Sequence, residues 1–185
     1  MVGVLLFAAV APVSFVTLPF AGLLIAARPG SRGEWLAVAL AGGVGVALLV
    51  APERGLLDGL GRAWIVLVTA AFATSARLRP AAFRSLAARA CLYATAGVVL
   101  LARATAGPAV WKQVQWEATR DASRTVRYAI EVAPGLYPAF EPAVRLAAGS
   151  WSVWLVLATL VGLALAWRGH ALVARVPLGA AAAPS

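Results

Sequence analysis

The sequence predicts an all-α fold: a polytopic transmembrane helical bundle of about five spans with one extracytoplasmic amphipathic interfacial helix. Three observations lead there. Only 12% of the 185 residues are charged and 62% are hydrophobic, half the charge of an ordinary soluble domain, which holds about 25%. The mean hydropathy is +0.87. The apolar residues collect in runs of about 20, the length that crosses a hydrocarbon core of roughly 30 Å. Against that background stands one charged island, WKQVQWEATRDASRTVRYAIEV from Trp111 to Val132, with seven charged side chains in 22 residues.

The elements follow in chain order. Residues 2–27 carry no charge; as one helix they would reach about 40 Å, longer than the core, so Pro12 and Pro19 are expected to break it, giving one broken span or a span plus a re-entrant piece. The segment lacks the positive start of a signal peptide and is read as retained. ARPGSRGE (27–34) is a polar turn, and a second span runs over 35–51 before Pro52. A third covers 56–76, with Asp58 and Arg62 in its first turns. After the basic loop RLRPAAFR (77–84), a fourth span covers 85–106. Its Arg89 and Arg103 lie about 21 Å apart, so both can snorkel to headgroups. Residues 146–167 form a last, uncharged span flanked by Arg145 and Arg168, with Trp151, Trp154 and Trp167 as an aromatic belt. The expected organisation is a single membrane domain over 1–168 and a loose tail over 169–185.

The island reads as a helix. At 100° per residue Trp111, Val114, Ala118, Ala122, Val126 and Ala129 share one arc, and Glu117, Arg120, Arg124, Arg127 and Glu131 the opposite one. Arg127–Glu131, Glu117–Arg120 and Asp121–Arg124 are spaced to pair along the polar side, each for only tenths of a kcal/mol. Charges at this density cost several kcal/mol each in hydrocarbon, so the helix does not span; it lies at the interface or caps the bundle.

The charge distribution sets the expected topology. Segments 28–34 and 77–89 and the C-terminal end hold eight arginines against Glu34, whereas the short loop and helix start on the other side hold only Arg54 and Arg62. Short basic loops stay in the cytoplasm, so the C-terminus is expected inside, in the inner membrane, and the island outside. The net charge of +9 is then a topology signal, and nucleic acid is not an expected partner. One cysteine, Cys91, excludes a disulfide framework, and together with one histidine, His170, it cannot build a metal site. No cofactor is expected. Nor is an enzyme, since no nucleophile and base stand in a recognisable arrangement.

Candidate residues each have two readings. Asp58 and Arg62, four apart on one helix face, form either a polar ligand site at the outer mouth or a pair satisfied in the headgroup region. Arg103 either holds an anionic ligand or snorkels. Glu141, between prolines, gates an outward cavity or is a solvated loop carboxylate; His170 falls in the tail. Small stripes allow helix backbones to approach closely: Ala37–Ala41–Gly45 and Ala39–Gly43–Ala47 in the second span, and Ala158–Gly162–Ala166 in the last. The stripe Ala39–Gly43–Ala47 is expected at a close helix contact, within the bundle or with a partner subunit.

LPFAGLLIAARPGSRGEWLAVALAGGVGVALL, with its Leu-Pro, Arg-x-Gly turn and Gly-rich second span, resembles the YybS-like bacterial membrane proteins. YPAFEPAVRLAAGSWSVWLVLATLVGLALAWRG is similar to a later helix of theirs. Their helices look like those of the substrate-binding S subunits of energy-coupling-factor vitamin transporters. In those, six helices enclose a ligand near the outer face, and an Ala-x-x-x-Ala stripe on the first helix meets a membrane coupling subunit. Gly22 and Ala26 keep that spacing here, with Gly in place of the first Ala. The resemblance implies a small-ligand-binding transport subunit; the amphipathic island in place of a lipid-facing helix points instead to a membrane scaffold or assembly factor. The bilayer, a partner subunit and a small molecule are the expected partners. A polar cavity at mid-membrane favours the first reading, a solid interior the second.

Overall fold

The computed structural model describes the backbone of residues 2–52, 55–79, 81–132, 142, 146 and 149–174, and their side chains except 2–12, 106, 125, 126 and 128–132. Among these residues the fold is all helical, as expected. The helices are α1 (Val2–Ala27), α2 (Arg32–Val50), α3 (Leu56–Leu78), α4 (Phe83–Ala106), a 3-10 turn at Gly107–Ala109, α5 (Val110–Val132) and α6 (Trp151–Val173). Four of them, α2, α3, α4 as far as Thr105, and α6, are long and apolar enough to cross a membrane; α1 adds an apolar stretch over Val13–Ala27. This is the architecture of a multi-pass membrane protein. Glu141 and Arg145 lie outside the described residues, as does most of the tail.

Helix α1 is not the broken span that its prolines lead one to expect. It runs unbroken through both prolines. Pro19 has no N–H to offer the carbonyl of Phe15, four residues back, and a helix in water would bend there. Here that carbonyl is pressed against α6: a Cβ built on Gly162 would stand 2.6 Å from Phe15 O and 2.7 Å from Phe15 Cβ. The neighbouring helix covers the freed oxygen with glycine backbone, leaving room for a Cα–H contact where an N–H bond is lost. Within the stripe Ala158–Gly162–Ala166, Gly162 is the residue in close contact with α1, with Ala166 buried and Ala158 half-buried beside it.

Helix α1 is the hub, touching α2, α3 and α6, while α3 lies along α4. Gly22 faces α3, where its absent Cβ would sit 3.1 Å from Thr69 Cγ2 and 3.5 Å from Ala73 Cβ. That part of the Gly22–Ala26 stripe is occupied inside the chain and not held out to a coupling subunit. The shared core joins Phe15, Leu23, Trp64, Val68, Phe72, Leu86, Ala90, Ala94, Leu163 and Ala166. Across its middle Trp64 Nε1 donates to Thr159 Oγ1 (2.9 Å), which donates to Leu155 O (2.7 Å). Such a link between helices contributes about 0.6 kcal/mol in a membrane.

Helix α2 is the most peripheral. Ser31 caps it and Glu34 closes the capping box, accepting from Gly30 N (2.7 Å) and Ser31 N (3.1 Å). It meets α1 at Gly45, where the Leu18 side chain occupies the space a Cβ would need, and at Gly42, whose Cβ would stand 3.9 Å from Ala21 Cβ; Ala37 and Ala41, on the stripe of Gly45, are half-buried. The stripe expected at a close contact, Ala39–Gly43–Ala47, points the other way: all three are exposed, and nothing lies within 4 Å of a Cβ on Gly43. The two stripes are offset by two residues, about 200° of helix, so only one can face α1. Gly43→Leu is thus expected to melt at or slightly above the parent temperature in detergent, because it gains helix propensity without meeting a neighbour. A clear drop would place Gly43 in a contact.

The last helix also differs from expectation. It continues to Val173, so His170 belongs to a helix and not to a tail. It is 2% exposed and its ring stacks on Trp167, 6.4 Å between centroids. Trp167 in turn meets Phe72 edge-on at 5.9 Å, and Phe72 meets Phe83 at 6.1 Å. The helix thus continues by about a turn and a half beyond the hydropathy boundary at Trp167.

Candidate functional site

The polar chemistry of the described residues gathers at helix ends. Helix α3 starts at Gly55, whose φ of +146° only glycine holds without strain and which has no side chain to cap the helix. The cap comes from α5. Glu117 is 6% exposed, and its Oε2 accepts from Leu57 N at 2.8 Å; the Leu56 N–H also bonds to this carboxylate. Gln113 Nε2 approaches the other oxygen at 3.4 Å. A Cβ on Gly55 would stand 2.7 Å from Oε2, so glycine is needed there for space as well as for φ. Burial pushes the carboxyl up; the N–H groups of Leu57 and Leu56, then Gln113 and the Arg120 charge, outweigh it and hold the pKa below its ordinary value. An anion on the positive end of a helix dipole is the favourable arrangement.

Arg62 does the converse for α2. Its Nη1 donates to the carbonyls of Leu49 (2.6 Å) and Ala51, its Nη2 to Pro52 O at 3.2 Å and to Asp58 Oδ2 at 2.8 Å. The end of α2 has no glycine to turn on, and a guanidinium with five donors satisfies its last carbonyls while Asp58 orients it. The Asp58–Arg62 pair is present as the i,i+4 spacing requires, and its hydrogen bonds are spent on structure. Arg103 is exposed. The nearby groove, about 290 Å³ and open, is lined by Gly55, Leu56, Gly59, Leu60, Leu101 and Thr105. Asp58, Arg62 and Arg103 are not brought together around it.

Helix α5 docks through Val110, Val114, Glu117 and Ala118, all buried, with Leu60 and Ala102 beneath the two valines. Two members of the expected arcs are exchanged: Trp111 is exposed, and Glu117 turns inward. Val126 and Ala129 lie outside the described side chains. Lys112, Trp116, Arg124 and Arg127 are exposed, and Arg120 lies over the Trp116 ring, 4.8 Å from its centre.

At the opposite end, Arg28, Arg32, Arg77, Arg79, Arg84 and Arg168 are exposed. Glu34 there is turned into its capping box and lies close enough to act electrostatically on His170, whose Nε2 has no hydrogen-bond partner among the described residues. A cleft of about 160 Å³ opens beside them, lined by Leu24, Ala27, Arg28, Pro29, Gly30, Glu34 and Ala174.

Sequence reasoning missed Glu117, Gly55 and His170 as interior groups. A signal for the first two exists: the residue at the cap position of α3 is Gly55, which has no side chain to accept from the first amides. No protein-family model, curated protein or solved structure matches the chain.

Proposed function

We propose that the chain is a membrane scaffold or assembly factor, working through helix packing and its amphipathic helix, and not a small-ligand transport subunit. The observation that carries this reading is the filled interior. Phe72, Val68, Leu163, Ala90 and Ala94 occupy the middle of the bundle, with at most 1% of any of them exposed. The polar groups proposed for a ligand, Asp58 and Arg62, instead close the end of α2. On this reading the likeness to S subunits extends to the helices and not to their ligand cavity, and no catalytic step is assigned. The C-terminus lies in the cytoplasm and α5 outside, as the short-loop arginines direct.

Two measurements test the proposal. In a Cys91→Ser background, Ser123→Cys is expected to react with an impermeant thiol reagent from outside the cell and Ala180→Cys only after lysis; the reverse pattern overturns the topology. The purified protein is expected to keep its melting temperature when mixed with a dialysable metabolite extract. A ligand-binding subunit would gain about 2.7 kcal/mol at a hundredfold excess over Kd, and a rise of several degrees would sink the scaffold reading.

A further inference from the structure

We propose that the outward side of α5 is a docking strip for anionic phospholipid headgroups. The proposal rests on the outer placement of α5 given above and adds the partner. Lys112, Trp116, Arg120 and Arg124 recur every fourth residue, and Arg127 follows within the same arc, about 120° wide. The face that carries Val110, Val114, Glu117 and Ala118 is held by the bundle. The apolar arc is therefore not available to enter lipid, and what α5 offers its surroundings is a row of cations with tryptophan between them.

Those cations are only partly compensated within the described residues, Asp121 forming ion pairs with Arg120 and Arg124. Glu117 is committed to the start of α3. Asp121 stands 3.7 Å from both Arg120 Nε and Arg124 Nη1, too long for a hydrogen bond. Lys112, Arg120, Arg124 and Arg127 stand against Asp121 and, by its place on the same arc, Glu131, which leaves this side an excess of positive charge, and the guanidinium of Arg120 is braced on Trp116 with its Nε unbonded among the described atoms. Segments carried across the membrane ordinarily shed Lys and Arg. A translocated strip that keeps four of them with fewer carboxylates is suited to meet an anion.

The level of the strip selects the lipid. Helix α5 leaves α4 after a three-residue turn at Gly107–Ala109. Val110 and Val114 cluster with Leu56, Leu57 and Leu60 at the start of α3, Ala102 near the end of α4 and Trp151 at the start of α6. Three spans terminate there, so the strip begins in the headgroup layer. Trp111 and Trp116, 42% and 60% exposed, sit where an indole is favoured, between phosphate and acyl chain. An acidic protein segment would satisfy the charges but not this placement.

The test compares hydrogen exchange over residues 112–127 in nanodiscs of phosphatidylcholine alone and of phosphatidylcholine with phosphatidylglycerol. Exchange is expected to slow in the anionic discs by about fivefold for each engaged cation. The triple variant Lys112→Gln/Arg120→Gln/Arg124→Gln should lose that slowing while the Leu57 amide stays protected. Equal exchange of the parent in both discs overturns the proposal, as does slowing that persists in the variant. Slowing by polyglutamate in neutral discs, with none from phosphatidylglycerol, would assign the strip to an acidic protein and also overturn it. Should the variant lose Leu57 protection, quenching decides: the part of the fluorescence removed by Trp116→Phe must be quenched more by brominated phosphatidylglycerol than by brominated phosphatidylcholine, and equal quenching overturns the proposal. Thiol labelling at Ser123 fails separately, since it reports the side of the membrane and not the lipid.

Discussion

Gly162→Ala is expected to destabilise the bundle by about 1–3 kcal/mol, the range for a forced fit in a packed interior. A single methyl would meet the Phe15 carbonyl at 2.6 Å and the Phe15 Cβ at 2.7 Å, and backbone cannot rotate aside as a side-chain tip can. Helices α1 and α6 must separate, which disturbs the fit of Leu163 and Ala166 against Phe15 as well. The carbonyl that Pro19 leaves without its helical donor would also lose its glycine cover. Ala gains about 1 kcal/mol over Gly in helix propensity, so the sign is a real test. Thermal unfolding in a mild detergent reads it, and Gly43→Ala on the exposed side of α2 is the matched control. Stability equal to or above that of the parent would mean that the two backbones do not touch.

Glu117→Ala is expected to cost about 2–3 kcal/mol and to act at a distance, loosening the first turn of α3 together with α5. Two part-buried N–H groups, of Leu57 and Leu56, lose a charged acceptor, and hydrogen bonds to charged groups contribute about 1.5–3 kcal/mol. Glu117→Gln keeps an acceptor without the charge and should fall between. Gly55→Ala should resemble Glu117→Ala, because its methyl takes the space of Oε2. The pH dependence has a definite sign. The folded pKa of Glu117 is depressed below 4.5, so its stabilisation is complete above that value and is lost as pH falls through the lower folded value. Exchange at the Leu57 amide should quicken in that acid window in the parent and be flat there in Glu117→Gln. A flat parent would show that the carboxylate does not hold the helix.

The membrane helices were legible because length and hydropathy are properties of a segment alone. Helix α5 was equally legible, since seven charges in 22 residues leave one arrangement that keeps them out of hydrocarbon. What was not legible depends on a second helix. Pro19 reads as a break until Gly162 is known to stand opposite it. The two small stripes of α2 are equivalent on a helical wheel, and only the fit of Leu18 against Gly45 decides between them. Glu117 falls among charges on that wheel, yet one turn of α5 brings it over the bare start of α3. His170 lies beyond the last hydropathic residue, and the stack with Trp167 draws it inside. Asp58 and Arg62 were correctly paired from their spacing, while the carbonyls of α2 that Arg62 also serves are ten to thirteen residues earlier in the chain.

The cap that α5 supplies to α3 has a consequence in time. Leu57 and Glu117 are 60 residues apart, and at a ribosome speed of roughly 5–20 residues per second the start of α3 waits about 3–12 s for its anion. During that interval α3 leaves the insertion machinery with its first amides bare, and headgroup water or lipid phosphate must stand in for the carboxylate. Arrival of α5 displaces that stand-in, so closure of this end of the bundle is a late event in biogenesis. A nascent chain arrested before Glu117 and one arrested beyond Val132 should therefore differ in protease sensitivity around Gly55, far upstream of either arrest point.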